Sequence, residues 1–141
     1  MPTLSAAIRA SASALHAERT RVEVAVSNMA NAGSTRGPNG EPYRRRDVVL
    51  ETAETSPFAD ALGDAVGVKV AGVIEDRAPF QPHFEPTHPD ADENGYVSLP
   101  NVDPQTEMVD MMGASRAYQA NLAAINIIRD MLQKALELGK G

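Results

Sequence analysis

Residues 103–139 read DPQTEMVDMMGASRAYQANLAAINIIRDMLQKALELG, and this stretch decides the fold class. Asp103 is a capping residue type, and Pro104 suits the first position of a helix because its missing N–H is not needed there. Met108, Ser115, Leu122, Arg129 and Leu136 then recur every seven residues, and Met111, Tyr118, Ile125 and Leu132 make a second register three residues on. Together they fill the a and d positions of more than four heptads. The spacing predicts a helix on the order of 50 Å long, ended by Gly139. Arg129 occupies a seam position, where an unpaired charge is destabilising but can fix register.

The other end of the chain repeats the pattern. Ile8, Leu15, Val22 and Met29 fall seven apart, with Leu4, Ser11, Ala12, Ala25 and Val26 in the same stripe. A helix over about 4–32 follows, roughly 40 Å long, with Thr3 as its cap and Gly33 ending it in a left-handed conformation. Val24, Met112, Ile127 and Ile128 lie off the two seams, so one helix partner leaves apolar surface over for another protein.

Between the helices the composition changes. Residues 1–35 carry net charge +1, residues 36–47 carry +2, residues 48–106 carry −9 and residues 107–141 carry 0, giving the total of −6. Glycine and proline crowd the region from Gly33 to Pro104. Three short strands are expected there, at 46–52, 67–75 and 96–99, with Val68, Val70 and Val73 on faces set by the period of two. Residues 36–42 and 53–66 lack apolar periodicity and read as loops. The fold class is therefore α+β. Long N- and C-terminal heptad helices pair as an antiparallel coiled coil, and a small irregular β-rich region lies between them. The domain boundaries follow: 1–35 and 103–141 supply the helices of a core domain, and 36–102 is an acidic central region.

Composition excludes several functions. A chain of 141 residues is about one domain. Its net charge of −6 is unsuited to a duplex nucleic-acid binder or to anionic membranes. With no cysteine there are no disulfides, thiolate metal sites or thiol nucleophiles. No run of apolar residues is long enough to span a membrane, and the N-terminus lacks the basic and apolar regions of a secretory leader. Trp is absent and only 6 residues are Phe or Tyr, which favours burial between helices or against copies over one thick core.

The candidate chemistry is sparse. Asp90-Ala91-Asp92-Glu93-Asn94-Gly95 matches the first half of a calcium loop, but position twelve falls on Asn101 instead of the required glutamate, and Pro86 and Pro89 rule out a preceding helix. A solvated acidic turn is the simpler expectation, with a calcium-binding module as the alternative function. His83 and His88 stand among prolines at a spacing of five, and read as loop histidines. Glu107 and Asp110 share a helix face near its N-terminus, where carboxylates favour the dipole. No nucleophile motif, phosphate loop or dinucleotide fingerprint is present, so no enzyme, cofactor or metal is expected. Arg44-Arg45-Arg46 reads equally as a contact for an acidic neighbour, such as the −9 region of another copy, or as a solvated loop.

Two segments do more than fit a pattern. Ser27-Asn28-Met29-Ala30-Asn31-Ala32-Gly33 ends the first helix. The run Gly95-Tyr96-Val97-Ser98-Leu99-Pro100-Asn101-Val102 leads into Glu107-Met108-Val109-Asp110 and Arg116-Ala117-Tyr118-Gln119-Ala120-Asn121. The Asn-x-Ala-Asn stretch resembles the bacterial flagellar rod and hook family of axial proteins. The later runs, and the short length, resemble its proximal-rod branch. The likeness spans nearly the whole chain and is weakest at about 53–66. It implies a non-enzymatic structural subunit of the flagellar basal body. Such a subunit is exported by the flagellar type III apparatus without a cleaved leader and assembles helically in the periplasm through its terminal helices. The partners it implies are other copies, other proximal and distal rod proteins, the adapter to the membrane ring and the export apparatus. The expected assembly residues are Ile8, Leu15, Val22, Asn28, Met29 and Asn31 on the first helix. On the second they are Met108, Met111, Tyr118, Leu122, Ile125 and Leu132. Asn28 and Asn31 are expected to end the first helix by hydrogen bonding.

Overall fold

The computed structural model describes residues 4–53 and 66–139. In chain order the elements are α1 (Leu4–Ala30), β1 (Arg46–Thr52), β2 (Val68–Glu75), β3 (Gln81–Phe84), β4 (Tyr96–Leu99) and α2 (Pro104–Leu138). The chain has two long helices and two small two-stranded sheets, β1 with β2 and β3 with β4, an α+β content. Among the described residues no helix is long and apolar enough to cross a membrane. The chain divides into two compact units, one drawn from 1–20, 49–72 and 113–141, the other from 21–48 and 73–112.

α1 does not end as the glycine pattern predicts, because Gly33 has no positive φ. The last turn tightens instead. The Asn31 N–H reaches both Ser27 O and Asn28 O at 3.2 Å, and Ala32 N–H reaches Met29 O. The Asn31 side-chain amide donates to Ser27 O at 2.8 Å. An asparagine side chain thus satisfies a terminal carbonyl that a left-handed glycine would otherwise leave to the following N–H groups. The expected cap Thr3 lies outside the described residues, as does 54–65, most of the loop expected at 53–66.

α2 begins as its sequence dictates. The Asp103 carboxylate accepts from Gln105 N–H at 3.1 Å and from the Thr106 hydroxyl at 2.6 Å, while Asp103 O accepts from Glu107 N–H at 3.0 Å. The Thr106 hydroxyl and the Gln105 N–H hold the Asp103 carboxyl below its ordinary pKa.

β1 and β2 are bracketed by Ala53 N–H to Gly67 O and Asp76 N–H to Arg45 O, both at 2.8 Å, so they run antiparallel. Val68 and Val70 are half-buried, whereas Val73 is exposed. In the first unit Ser13 Oγ, itself donating to Ala10 O, accepts from Val68 N–H at 3.0 Å. A Cβ at Gly67 would lie 2.7 Å from Ser13 Oγ, so only glycine lets the strand start this close to the helix. Prolines on either side of His83 suggest a loop, but the structure has a strand there, β3. It pairs antiparallel with β4, Pro82 opposite Ser98 and His83 opposite Val97. A two-stranded sheet has only edge strands, and an edge tolerates a proline that cannot donate. His83 is therefore a strand residue.

Candidate assembly interface

The second unit is organised around a buried polar clasp. Asn28, in the last turn of α1, is 1 % exposed and makes four side-chain hydrogen bonds. Its amide donates to Arg46 O at 2.8 Å and to Glu107 Oε2 at 2.9 Å. Its oxygen accepts from Arg46 N–H at 3.0 Å and from the Tyr43 hydroxyl at 2.9 Å. By taking both backbone groups of Arg46, the Asn28 side chain stands where a neighbouring strand would stand at the start of β1. Glu107, equally buried, also receives Arg45 Nε at 2.6 Å, and Arg45 reaches Asp110 at 3.4 Å and Asp47 at 3.6 Å. Burial opposes the Arg45 charge, but the Glu107 hydrogen bond and the charges of Glu107, Asp47 and Asp110 outweigh it, so the guanidinium pKa is raised. Among the described residues no buried side-chain polar atom lacks a partner.

A second amide extends the clasp. Asn101 Oδ1 accepts from Arg45 N–H at 2.8 Å, and its Nδ2 donates to Asp76 O and Ala78 O. The motif from Gly95 to Val102 acquires a physical reading. Gly95 turns the chain at φ +82°, where a Cβ would crowd Phe84 at 3.0 Å and Pro86 at 3.1 Å. Val97, Pro100 and Val102 are buried, and Asn101 holds the segment after β2 to the segment before β1. Glu107, which its place in the sequence presents as a dipole-stabilising residue, is the acceptor at the centre of the clasp. Nothing in a run of three arginines says that Arg45 is the one that turns inward, and Tyr43 belongs to no periodic pattern.

The helices bury small residues. In α1 the buried positions are Ala6, Ala17, Ala25 and Asn28. Ala6, Ala17 and Asn28 are spaced by eleven, about three turns, and lie on one face. Ile8, Leu15, Val22 and Met29 are half-buried and fall about 120–180° around the helix from Ala17, on its other side. In α2 the inward register is Glu107, Ala114, Asn121 and Ile128, with Met111, Ile125 and Leu132 half-buried beside it. Of the two expected registers, Met111, Ile125 and Leu132 stay beside this face, whereas Met108, Ser115, Leu122, Arg129 and Leu136 lie one residue off it and are exposed, and Tyr118 sits at the margin. The reason is the clasp, which turns Glu107 inward, and the heptad then brings Ala114 to the same face. Nine large apolar side chains of α2 remain exposed, among them Met108, Met112, Leu122 and Ile127.

The acidic turn is held by its own aspartates. Asp92 Oδ1 accepts from Asn94 N–H and Tyr96 N–H, and Asp90 accepts from the Thr35 hydroxyl and pairs with Arg36 at 3.1 Å. Asp90 N–H donates to His88 Nδ1. Among the described residues no group of acidic, histidine or cysteine side chains is placed to hold a metal ion. Of the three arginines, Arg44 lies over the Phe80 ring at 4.3 Å, Arg45 enters the clasp, and Arg46 pairs with Glu75 at 3.7 Å.

Residues 93–138 match the family described as flagellar basal body rod FlgEFG protein C-terminal. The flagellar basal-body rod protein FlgC of Salmonella typhimurium is 50% identical over 128 residues, covering 91% of this chain and 92% of the relative. That of Bacillus subtilis is 45% identical, covering 94% of this chain and 96% of its own. That of Borreliella burgdorferi is 37% identical over 98% and 99%. At 37–50% identity over nine-tenths or more of both chains, these relatives show that the chain belongs to the FlgC family of flagellar basal-body rod proteins.

Proposed function

We propose that the chain builds the proximal part of the rod, self-assembling through its terminal helices into a helical shaft that transmits torque. It is a structural protein of the flagellar basal body and not an enzyme. The observation that carries the proposal is the inverted allocation of side chains on the helices. Alanines point inward, while most large aliphatic side chains stand half-buried on α1 and most stand exposed on α2. A surface of that kind is normal for a subunit and unusual for a monomer. Contacts between unlike faces, whose rotation does not close, propagate as a helix of subunits, and close-packed helices transmit strain.

The finer reading belongs to the same proposal. α1 and α2 pair as an antiparallel coiled coil, supported by the Asn28–Glu107 bond between the last turn of one and the first turn of the other. Ile8, Leu15, Val22, Asn28, Met29 and Asn31 join Met108, Met111, Tyr118, Leu122, Ile125 and Leu132 in the assembled seam. Asn28 acts there indirectly, by holding the helix ends in place. Export through the flagellar apparatus without a cleaved leader, a periplasmic position, and contacts with other rod proteins and the ring adapter rest on membership of the family. A calcium-binding module at 90–95 has no support, since Asp90 and Asp92 already hold the turn.

The test is deletion of the gene, scored by swimming and by electron microscopy of purified basal bodies. Rings without a rod, restored by the gene in trans, are expected. Intact rods and normal swimming would overturn the proposal.

A further inference from the structure

A groove on the second unit, away from the helix faces, is lined by Arg44, Ile74, Glu75 and Arg77. Arg44 is laid flat, its guanidinium carbon 4.3 Å from the Phe80 ring centroid, and its nearest carboxylate, Glu41, stands at the 4.0 Å limit of an ion pair. Stacking fixes the plane of a guanidinium and leaves its edge donors to face outward. Arg77 has no hydrogen-bond or ion-pair partner among the described residues, and Ile74 in the same groove is 56% exposed. Glu75 is drawn off by Arg46 at 3.7 Å. The groove therefore offers two guanidinium groups with unfilled donors beside an exposed aliphatic side chain. That chemistry fits a ligand carrying carboxylates next to an apolar group.

The chain itself carries such a feature. At the end of β3, Phe84 is 61% exposed and stands edge-on to Tyr96 at 5.2 Å. The adjacent Glu85 carboxylate has no partner among the described residues, and neither has that of Glu93. The bond from Glu85 N–H to Gly95 O, 2.9 Å, ties the two acidic positions into one hairpin tip. Residues 81–99, which form this hairpin, carry four acidic residues and no Lys or Arg, which makes the hairpin the natural counterpart of a basic groove.

We infer that the Arg44–Ile74–Arg77 groove receives the Phe84–Glu85–Glu93 tip of a second copy of the chain. The inference rests on the rod-subunit reading and adds a copy-to-copy contact that does not involve the helices. Groove and tip are different surfaces, so the contact is head-to-tail and propagates from one copy to the next. Exposed charge pairs add little stability, but they set register and reject wrong partners, a suitable division of labour beside an apolar helical core.

The chain has no cysteine, so Arg77→Cys with Glu85→Cys supplies the only thiols. Cells carrying this double variant are treated with a short bismaleimide, and basal bodies are purified and blotted for the chain. A ladder at multiples of the chain mass is expected from the double variant and monomer alone from each single one. Monomer alone from a double variant present in the basal bodies would overturn the contact, as would a cross-link to a band of another mass, which would identify a different occupant. A charge swap tests the contact without cross-linking. Arg77→Glu should reduce the swimming halo, and adding Glu85→Arg should restore it, whereas a reduction that Glu85→Arg deepens would overturn the pairing. Absence of the wild-type chain from purified basal bodies would instead overturn the rod assignment itself.

Discussion

Replacing Asn28 by alanine removes four hydrogen bonds from a position that is 1 % exposed. Three are to neutral groups, worth about 1 kcal/mol each, and the one to the Glu107 carboxylate is worth about 2. Glu107 keeps Arg45 as a partner, and the half-buried Tyr43 hydroxyl can turn to water, so part of the gross loss is recovered. Arg46 N–H and C=O at the start of β1 have no such replacement within the clasp. The net expectation is a loss of about 3–4 kcal/mol. In urea unfolding followed by far-UV circular dichroism, with a slope near 2 kcal/mol per molar, the midpoint should fall by roughly 1.5–2 M without a change of slope. Asn28→Asp should lose at least as much, because the new oxygen faces the Arg46 carbonyl and the Glu107 carboxylate, two acceptors. A cycle of Asn28→Ala with Glu107→Gln should show about 1–2 kcal/mol of coupling. A stability of Asn28→Ala within about 0.5 kcal/mol of the unsubstituted protein would refute the view that this side chain holds the unit together.

Three further outcomes follow from other parts of the chain. Gly95→Ala forces a side chain into positive φ, 3.0 Å from Phe84 Cε2 and 3.1 Å from Pro86 Cβ, and should cost about 1–3 kcal/mol; hydrogen exchange should show the loss first in the β3–β4 amides. Because the folded Asp103 carboxyl has a lowered pKa, its capping contribution is complete above the ordinary carboxylate range and disappears as pH falls through the folded value. Protection of the first α2 amides should therefore decline in acid, and Asp103→Asn should flatten that decline; protection that rises in acid would contradict the cap. Tyr118→Glu, at the margin of the inward α2 face, should abolish rods and swimming while leaving the cellular amount of the protein unchanged, and normal swimming would count against the seam.

The helices and three of the four strands were legible because each has a local cause. Proline after a capping aspartate starts α2, and runs of Val, Leu and Ile with period two mark β1, β2 and β4. The inward faces were less legible. Heptad reading weights large apolar side chains, and here the buried positions are alanines, an asparagine and a glutamate. An alanine is helix-compatible on any face, so its burial leaves no periodic trace. Glu107 becomes an inward residue only through Arg45 and Asn28, which lie 62 and 79 residues away in the chain. β3 escaped because Pro82 argues against a strand unless the strand is known to be an edge. The Gly33 ending failed for a related reason: the helix closes at Asn31, whose side chain donates to Ser27 O.

The same allocation explains why a chain with so much heptad character needs a polar clasp. Of the seven buried apolar side chains among the described residues, Pro100 included, four are alanine. Burying a methyl group contributes about 0.8 kcal/mol, against about 1.5–3 for Leu, Ile or Met. A helix face lined by alanines gains little from hydrophobic burial and has weak preference for one register over its neighbours. The directional bonds of Asn28, Arg45, Glu107 and Asn101 supply that preference, since a shift of one residue along α2 would place Met108 where Glu107 now meets a guanidinium and an amide. The large side chains are thereby kept on the outer faces. Covering the nine exposed on α2 would contribute on the order of 10 kcal/mol before the cost of ordering. On the proposed assembly through the outer helix faces, the subunit fixes its own register with polar contacts and its hydrophobic contribution goes to the rod, so substitutions in the clasp should act on the monomer and substitutions on the outer faces on assembly alone.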